Sequence, residues 1–171
     1  MKRVLSLVFA ALLLMGMCST AFAVSAQYTS TQLFMDLLDE KDVSYTYVGI
    51  DDNDYEKITV KNNDSDAGIS YTISYFFDPN NENAGIRVWD VAVFGEGDAN
   101  KVKALMACDN CNRTWKYVTF MTESDNTVTA KMDLIYRGET VSEVAWEATL
   151  HLVNVLGDAY IEYLGAIDTA N

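Results

Sequence analysis

The ten residues from Thr127 to Tyr136 constrain this chain more than any other stretch. Val128, Ala130, Met132, Leu134 and Tyr136 fall on one side of the run, and Thr127, Thr129, Lys131 and Asp133 on the other. That is the period-2 pattern of a half-buried β-strand. Upstream, Asn112 to Thr122 reads as a second strand, and the polar Glu123-Ser124-Asp125-Asn126 as the turn between the two. An antiparallel hairpin spanning Asn112 to Tyr136, with one face on a core, is therefore expected.

The flanking segments fix what this hairpin joins. Thr29, with Gln32 three residues on, has the sequence of a capping box. Leu33, Phe34, Leu37 and Leu38 share one face of the helix that follows, over about Ser30 to Lys41. Four short strands come next, at Ser44 to Ile50, Tyr55 to Lys61, Ile69 to Phe77 and Ala84 to Phe94. Their polar connections, one of which holds the only proline, Pro79, are short enough for hairpins, so an antiparallel meander is expected. Gly95 and Gly97 then turn the chain into a second helix, capped by Asp98, with Val102, Leu105 and Met106 inward and an end near Cys108. After the hairpin, Thr140 and Glu143 make a second capping box and open a helix that continues to about Leu164. The order is α-β-β-β-β-α-β-β-α, an α+β domain whose antiparallel sheet is packed by helices.

The last helix carries two apolar stripes. Val141, Ala145, Ala148, Leu152, Leu156, Ala159 and Tyr163 form one, and Trp146, Leu150, Val153, Tyr160, Ile161 and Leu164 the other. An ordinary surface helix buries one stripe roughly 100° wide. The surplus makes Trp146, Leu150, Val153 and Ile161 the candidates for binding a protein partner or a second copy of the chain.

The N-terminus is read separately from the fold. Lys2 and Arg3, the apolar run Val4 to Met17 and the small-residue site Ala21-Phe22-Ala23 form a secretory signal peptide over 1–23. The run is shorter than the ~20 residues that span a bilayer, so 24–171 is expected as a single exported domain, secreted or in the periplasm or cell envelope. Removing Lys2 and Arg3 from a formal net charge of −13 leaves −15. So acidic a surface repels phosphate backbones and anionic headgroups, which excludes nucleic acid and the membrane as partners.

Few residue patterns suggest chemistry. Cys108 and Cys111 survive cleavage, and in an exported chain a lone Cys-x-x-Cys reads as one local disulfide. The competing reading is a thiol oxidoreductase, although the pair falls at the end of a helix, where the dipole opposes a thiolate. His151 is the only histidine and lies on the polar face of the last helix, which leaves zinc binding and Ser-His-Asp catalysis short of groups. Asn62, Asp64 and Asp66 partly match a calcium loop, but Ala67 and Ile73 stand where glycine and the bidentate glutamate belong. A weak calcium-binding module remains a further alternative; no catalytic residue, cofactor or metal is assigned.

Asn112-Arg113-Thr114-Trp115-Lys116-Tyr117, between the second helix and the hairpin, resembles the YbjN family, which carries an Asn and an aromatic residue at this junction. Asp158-Ala159-Tyr160-Ile161-Glu162-Tyr163-Leu164 is similar to that family's helix ending, and the likeness extends over roughly Thr29 to Leu164. The resemblance implies an α+β fold like that of type III secretion chaperones, a regulatory role and no catalytic site. It marks Asn112, Trp115 and Tyr117 as family-motif positions. The expectation is an exported, non-enzymatic protein-binding or regulatory module that acts through its C-terminal helix.

Overall fold

Period-2 alternation recurs in the long strands and sorts their side chains onto two faces of one sheet. In the computed structural model, which describes residues 25–169, β1 (Thr46–Ile50), β2 (Glu56–Asp64), β3 (Ile69–Phe77) and β4 (Asn83–Val93) form the expected antiparallel meander. The expected signal peptide, 1–23, lies outside the described residues. The chain then passes through α2 (Asp98–Thr114) before β5 (Thr119–Thr122) and β6 (Thr127–Ile135) complete a six-stranded sheet of order β1-β2-β3-β4-β6-β5. β6 pairs with β4 over most of its length and brings Val128, Ala130 and Met132 into the core, while the four-residue β5 is left at the edge.

Two helices cover one face of this sheet. α1 (Thr29–Glu40) contributes Phe34, Met35 and Leu38, and α3 (Val141–Ala159) contributes Val141, Ala145, Leu152 and Leu156. They meet Ile58, Ile73, Phe77, Ile86 and Val88 from the strands, all buried. The Phe34 ring lies 4.8 Å from Tyr75 and 5.7 Å from Phe77, tilted in both contacts as aromatic pairs prefer. Thr149 donates to the Ala145 carbonyl at 2.7 Å, so its oxygen is left to accept the Tyr75 hydroxyl at 2.9 Å. The buried Tyr75 hydroxyl is thereby satisfied.

The helix ends differ from their sequence patterns. Neither capping box forms: Gln32 accepts from the Ala26 amide, and the Thr140 hydroxyl donates to the Arg137 carbonyl. The entry to α1 is instead held by Glu56 of β2, which is buried and accepts from the Gln27 and Tyr28 amides at 2.7 and 2.8 Å and from the Tyr47 hydroxyl at 2.6 Å. A carboxylate from another element does the work expected of a local cap. Gly97, at φ 96°, stands at the N-cap of α2, and Asp98 is already inside the helix.

α2 corrects the expected boundaries most. It continues through Cys108 to Thr114, so Asn112 to Thr114 are helical, and Tyr117, at φ 72°, turns the chain before β5 begins at Thr119. Its buried face is Ala104, Ala107, Cys108 and Cys111 rather than Val102, Leu105 and Met106, which are 53%, 49% and 63% exposed. Spacings of three and four residues place these small side chains on one stripe. There α2 packs on β5 and on the π-helical turn Tyr160–Leu164 that ends α3.

Candidate functional surfaces

The fold uses most of the apolar surplus of α3. Trp146 is half-buried against the core, with the Lys41 ammonium 5.5 Å from its ring centre, and Val153 is half-buried as well. Leu150 and Ile161 remain 43% and 61% exposed, but the exposed polar Asn154 and Asp158 stand between them. The four candidates do not make one continuous apolar surface.

The family-motif residues form a joint. Asn112 Nδ2 donates to the Phe120 carbonyl at 2.9 Å and its Oδ1 accepts from the Phe120 amide at 2.7 Å, so one side chain pairs both backbone groups of an edge-strand residue. Trp115 meets Tyr163 edge-on at 5.9 Å. His151 Nε2 lies 3.0 Å from the Lys116 carbonyl, and its ring packs edge-on against the exposed Tyr117 at 6.2 Å. Beyond the π-helical turn, Asp168 accepts from the Tyr160 hydroxyl at 2.7 Å and from the Val93 amide at 3.0 Å. The phrases around Asn112 and Asp158 thus meet in space, and together they lock α2, β5 and the end of α3.

Cys108 and Cys111 are free, buried thiols inside α2, not the disulfide expected. Residues three apart on a helix have Cβ atoms roughly 5–6 Å apart, wider than the roughly 3.5–4.5 Å a disulfide spans. Burial pushes the Cys108 thiol up to about 11, and burial with the neighbouring thiol pushes Cys111 up to about 12. The thiolate that redox exchange needs is therefore scarce at neutral pH.

The acidic loop at Asn62, Asp64 and Asp66 serves a turn. Asn62 donates to the Tyr71 hydroxyl, Asp64 Oδ1 accepts from the Asp66 and Ala67 amides, and the Asp64 carboxylate packs against Gly157 where any Cβ would collide with it. Among the described residues, no group of three or more His, Cys, Asp or Glu side chains is placed to hold a metal ion. Among them, too, no helix is long and apolar enough to cross a membrane.

The surface that sequence reasoning missed is the other face of the sheet. Lys57 stands opposite Phe76, Phe76 opposite Gly85, and Gly85 opposite Asp133, all pointing away from the helices. The next rung holds Ser74, Arg87 and Lys131. Phe76 and Trp89 meet edge-on at 5.7 Å, and the Lys57 ammonium sits 5.0 Å from each ring centre. The strand irregularity between Val88 and Ala92, with Asp90 at φ 55°, falls beside Trp89, and such bulges re-aim side chains. Arg87 folds back over Gly85, 3.4 Å from where a Cβ would be, donates to the Ile86 and Met132 carbonyls and pairs with Asp133 at 2.7 Å. Phe76, Gly85, Arg87, Trp89 and Asp133 border a hollow of about 520 Å³ reaching from Asp51 and Tyr55 to Trp89 and Ile135. Trp89 is 41% and Ile135 83% exposed. The signal was available in the sequence: Phe76 follows the Thr72–Ser74 phase of β3, and Trp89 the Arg87 phase of β4, where polar residues are expected.

Comparison with known proteins agrees with the resemblance of the motif phrases. No match to a curated protein was found. A chain from a structure titled "Crystal Structure of the ExsC-ExsE Complex" aligns with a TM-score of 0.48 at 11% identity, covering 86% of this chain and 100% of that one. The model of the YbjN family, described as "Putative bacterial sensory transduction regulator", matches residues 33–166. That match takes in α1 from Leu33 onward, α2, α3, β1 to β6 and the joint at Asn112, and on that ground the chain belongs to the YbjN family.

Proposed function

We propose that this chain is an exported, non-enzymatic protein-binding module with a regulatory role, and that it binds through the open face of its sheet. The observation that carries the reading is the hollow beside Phe76, Trp89 and Ile135, on a face that no helix covers among the described residues. Exposed aromatic and aliphatic side chains gathered around a depression are the kind of patch that marks a recognition surface. The family description supports a regulatory role, and Lys2-Arg3, the apolar run and Ala21-Phe22-Ala23 support export to the envelope or beyond. The thiol oxidoreductase alternative predicts disulfide exchange, and a thiol titration of the folded protein tests it: slow labelling until denaturant is added removes it.

A second reading, binding of a partner or a second copy through the C-terminal helix, is favoured by the exposure of Leu150 and Ile161. Crosslinking capture from envelope extract separates the two, using the mature chain, Trp89→Ser and Ile161→Ser as baits. A partner identified with the parent and with Ile161→Ser, but absent with Trp89→Ser, supports the sheet face. The reverse pattern moves the site to α3.

A further inference from the structure

We infer that the occupant of the open face is an extended, acidic segment of a partner protein, its carboxylates over Lys57, Lys61 and Lys131 and an apolar side chain in the hollow. The inference rests on the open-face reading and names the chemistry of what binds there.

The charge pattern carries it. The chain has 25 acidic residues and 12 basic ones. On the open-face positions of the strands the balance reverses: Lys57, Lys61, Arg87 and Lys131 stand against Asp133, with Asp51 at the far end of the hollow and the exposed Asp90 at the irregularity of β4. Asp133 is already held by Arg87 at 2.7 Å, and Lys131 approaches it only to 4.0 Å. Among the described residues, no carboxylate lies within ion-pair distance of Lys57 or Lys61, and Lys57 rests on two aromatic rings instead. Lys57 and Lys61 are thus left on the open face without a carboxylate partner among the described residues. They are positioned to meet charges from outside.

The sheet order makes that segment extended. Lys57 on β2 and Lys131 on β6 lie three strand spacings apart across β3 and β4, roughly 14 Å, a span that about four or five extended residues cross. A nucleic acid is disfavoured, because a long polyanion would run on over the acidic remainder of the surface. A short segment stays within the roughly 8–10 Å over which the lysines act unscreened.

Three synthetic peptides test this, each built around one leucine and flanked by glutamates, lysines or serines, titrated calorimetrically into the mature chain. The glutamate peptide is expected to bind roughly tenfold more tightly than the others, and to weaken about tenfold between low and physiological ionic strength. Lys57→Glu combined with Lys131→Glu should abolish that binding with the circular dichroism unchanged; the exposed Lys61→Glu serves if the double variant does not fold. Equal or tighter binding of the lysine or serine peptide, lost in Trp89→Ser, overturns the acidic occupant and leaves the open-face reading standing. If no peptide binds, the acidic occupant is overturned, and capture with Trp89→Ser decides the open face by itself.

Discussion

Phe76 and Phe77 are neighbours in β3 and belong to different halves of the molecule. Phe77 is fully buried between the sheet and α1, 5.7 Å from Phe34. Phe76 faces outward, with Lys57 and Trp89 against its ring. On the covered side, Tyr75 is paired with Thr149 and Glu56 with two amides and a hydroxyl. On the open side, Trp89 stays accessible, and Lys57 and Lys61 have no carboxylate within ion-pair distance among the described residues. One face has spent its side chains on stability and the other has kept them available.

Breaking the contrast calls first for the largest effect. Phe77→Ala should cost about 3–5 kcal/mol, the usual loss for a buried aromatic, whereas Phe76→Ala should cost about 1 kcal/mol or less. Denaturant midpoints measure both, and similar losses would mean that the two faces do not differ as described.

Glu56→Gln comes next, at about 1.5–3 kcal/mol, since three donors lose an anionic acceptor. Burial alone raises the Glu56 pKa, but the Tyr47 hydroxyl and the Gln27 and Tyr28 amides outweigh it and leave the carboxyl below its ordinary value. Its contribution is therefore complete above the unfolded-state value and lost as pH falls through the lower folded value. Stability measured downward from neutral pH should fall more steeply in the parent than in Glu56→Gln; parallel curves would remove Glu56 from the account.

Asn112→Ala should cost about 1–2 kcal/mol and speed amide exchange at Phe120, because the edge strand loses both of its side-chain partners. Smallest of all, Ile161→Ser and Lys57→Ser should each fall within about 0.5 kcal/mol of the parent. A larger loss at Lys57 would sharpen the comparison by showing that the open face also carries stability.

How far the sequence reaches follows from the same contrast. The element order was legible, and β3 matches to the residue, because alternation is imposed locally by the pleat. The inward face of α2 was not, since size misleads there: the larger Val102, Leu105 and Met106 stay exposed, and alanine and cysteine face the fold. Both capping boxes had the right spacing, yet a long-range carboxylate anchors the entry to α1, which no local pattern reports. The surplus on α3 was visible, but its absorption at Trp146 and Val153 depends on packing with the rest of the fold. The open face was written in the phase of Phe76 and Trp89, and pairing across strands was needed to see that they meet.

The most direct test is calorimetric titration of the captured partner against the parent, Trp89→Ser and Ile161→Ser, with melting temperatures recorded alongside. The account predicts roughly tenfold or greater weakening for Trp89→Ser, unchanged affinity for Ile161→Ser and little change in melting temperature for either. Full affinity in Trp89→Ser together with loss in Ile161→Ser would contradict it and place recognition on the C-terminal helix.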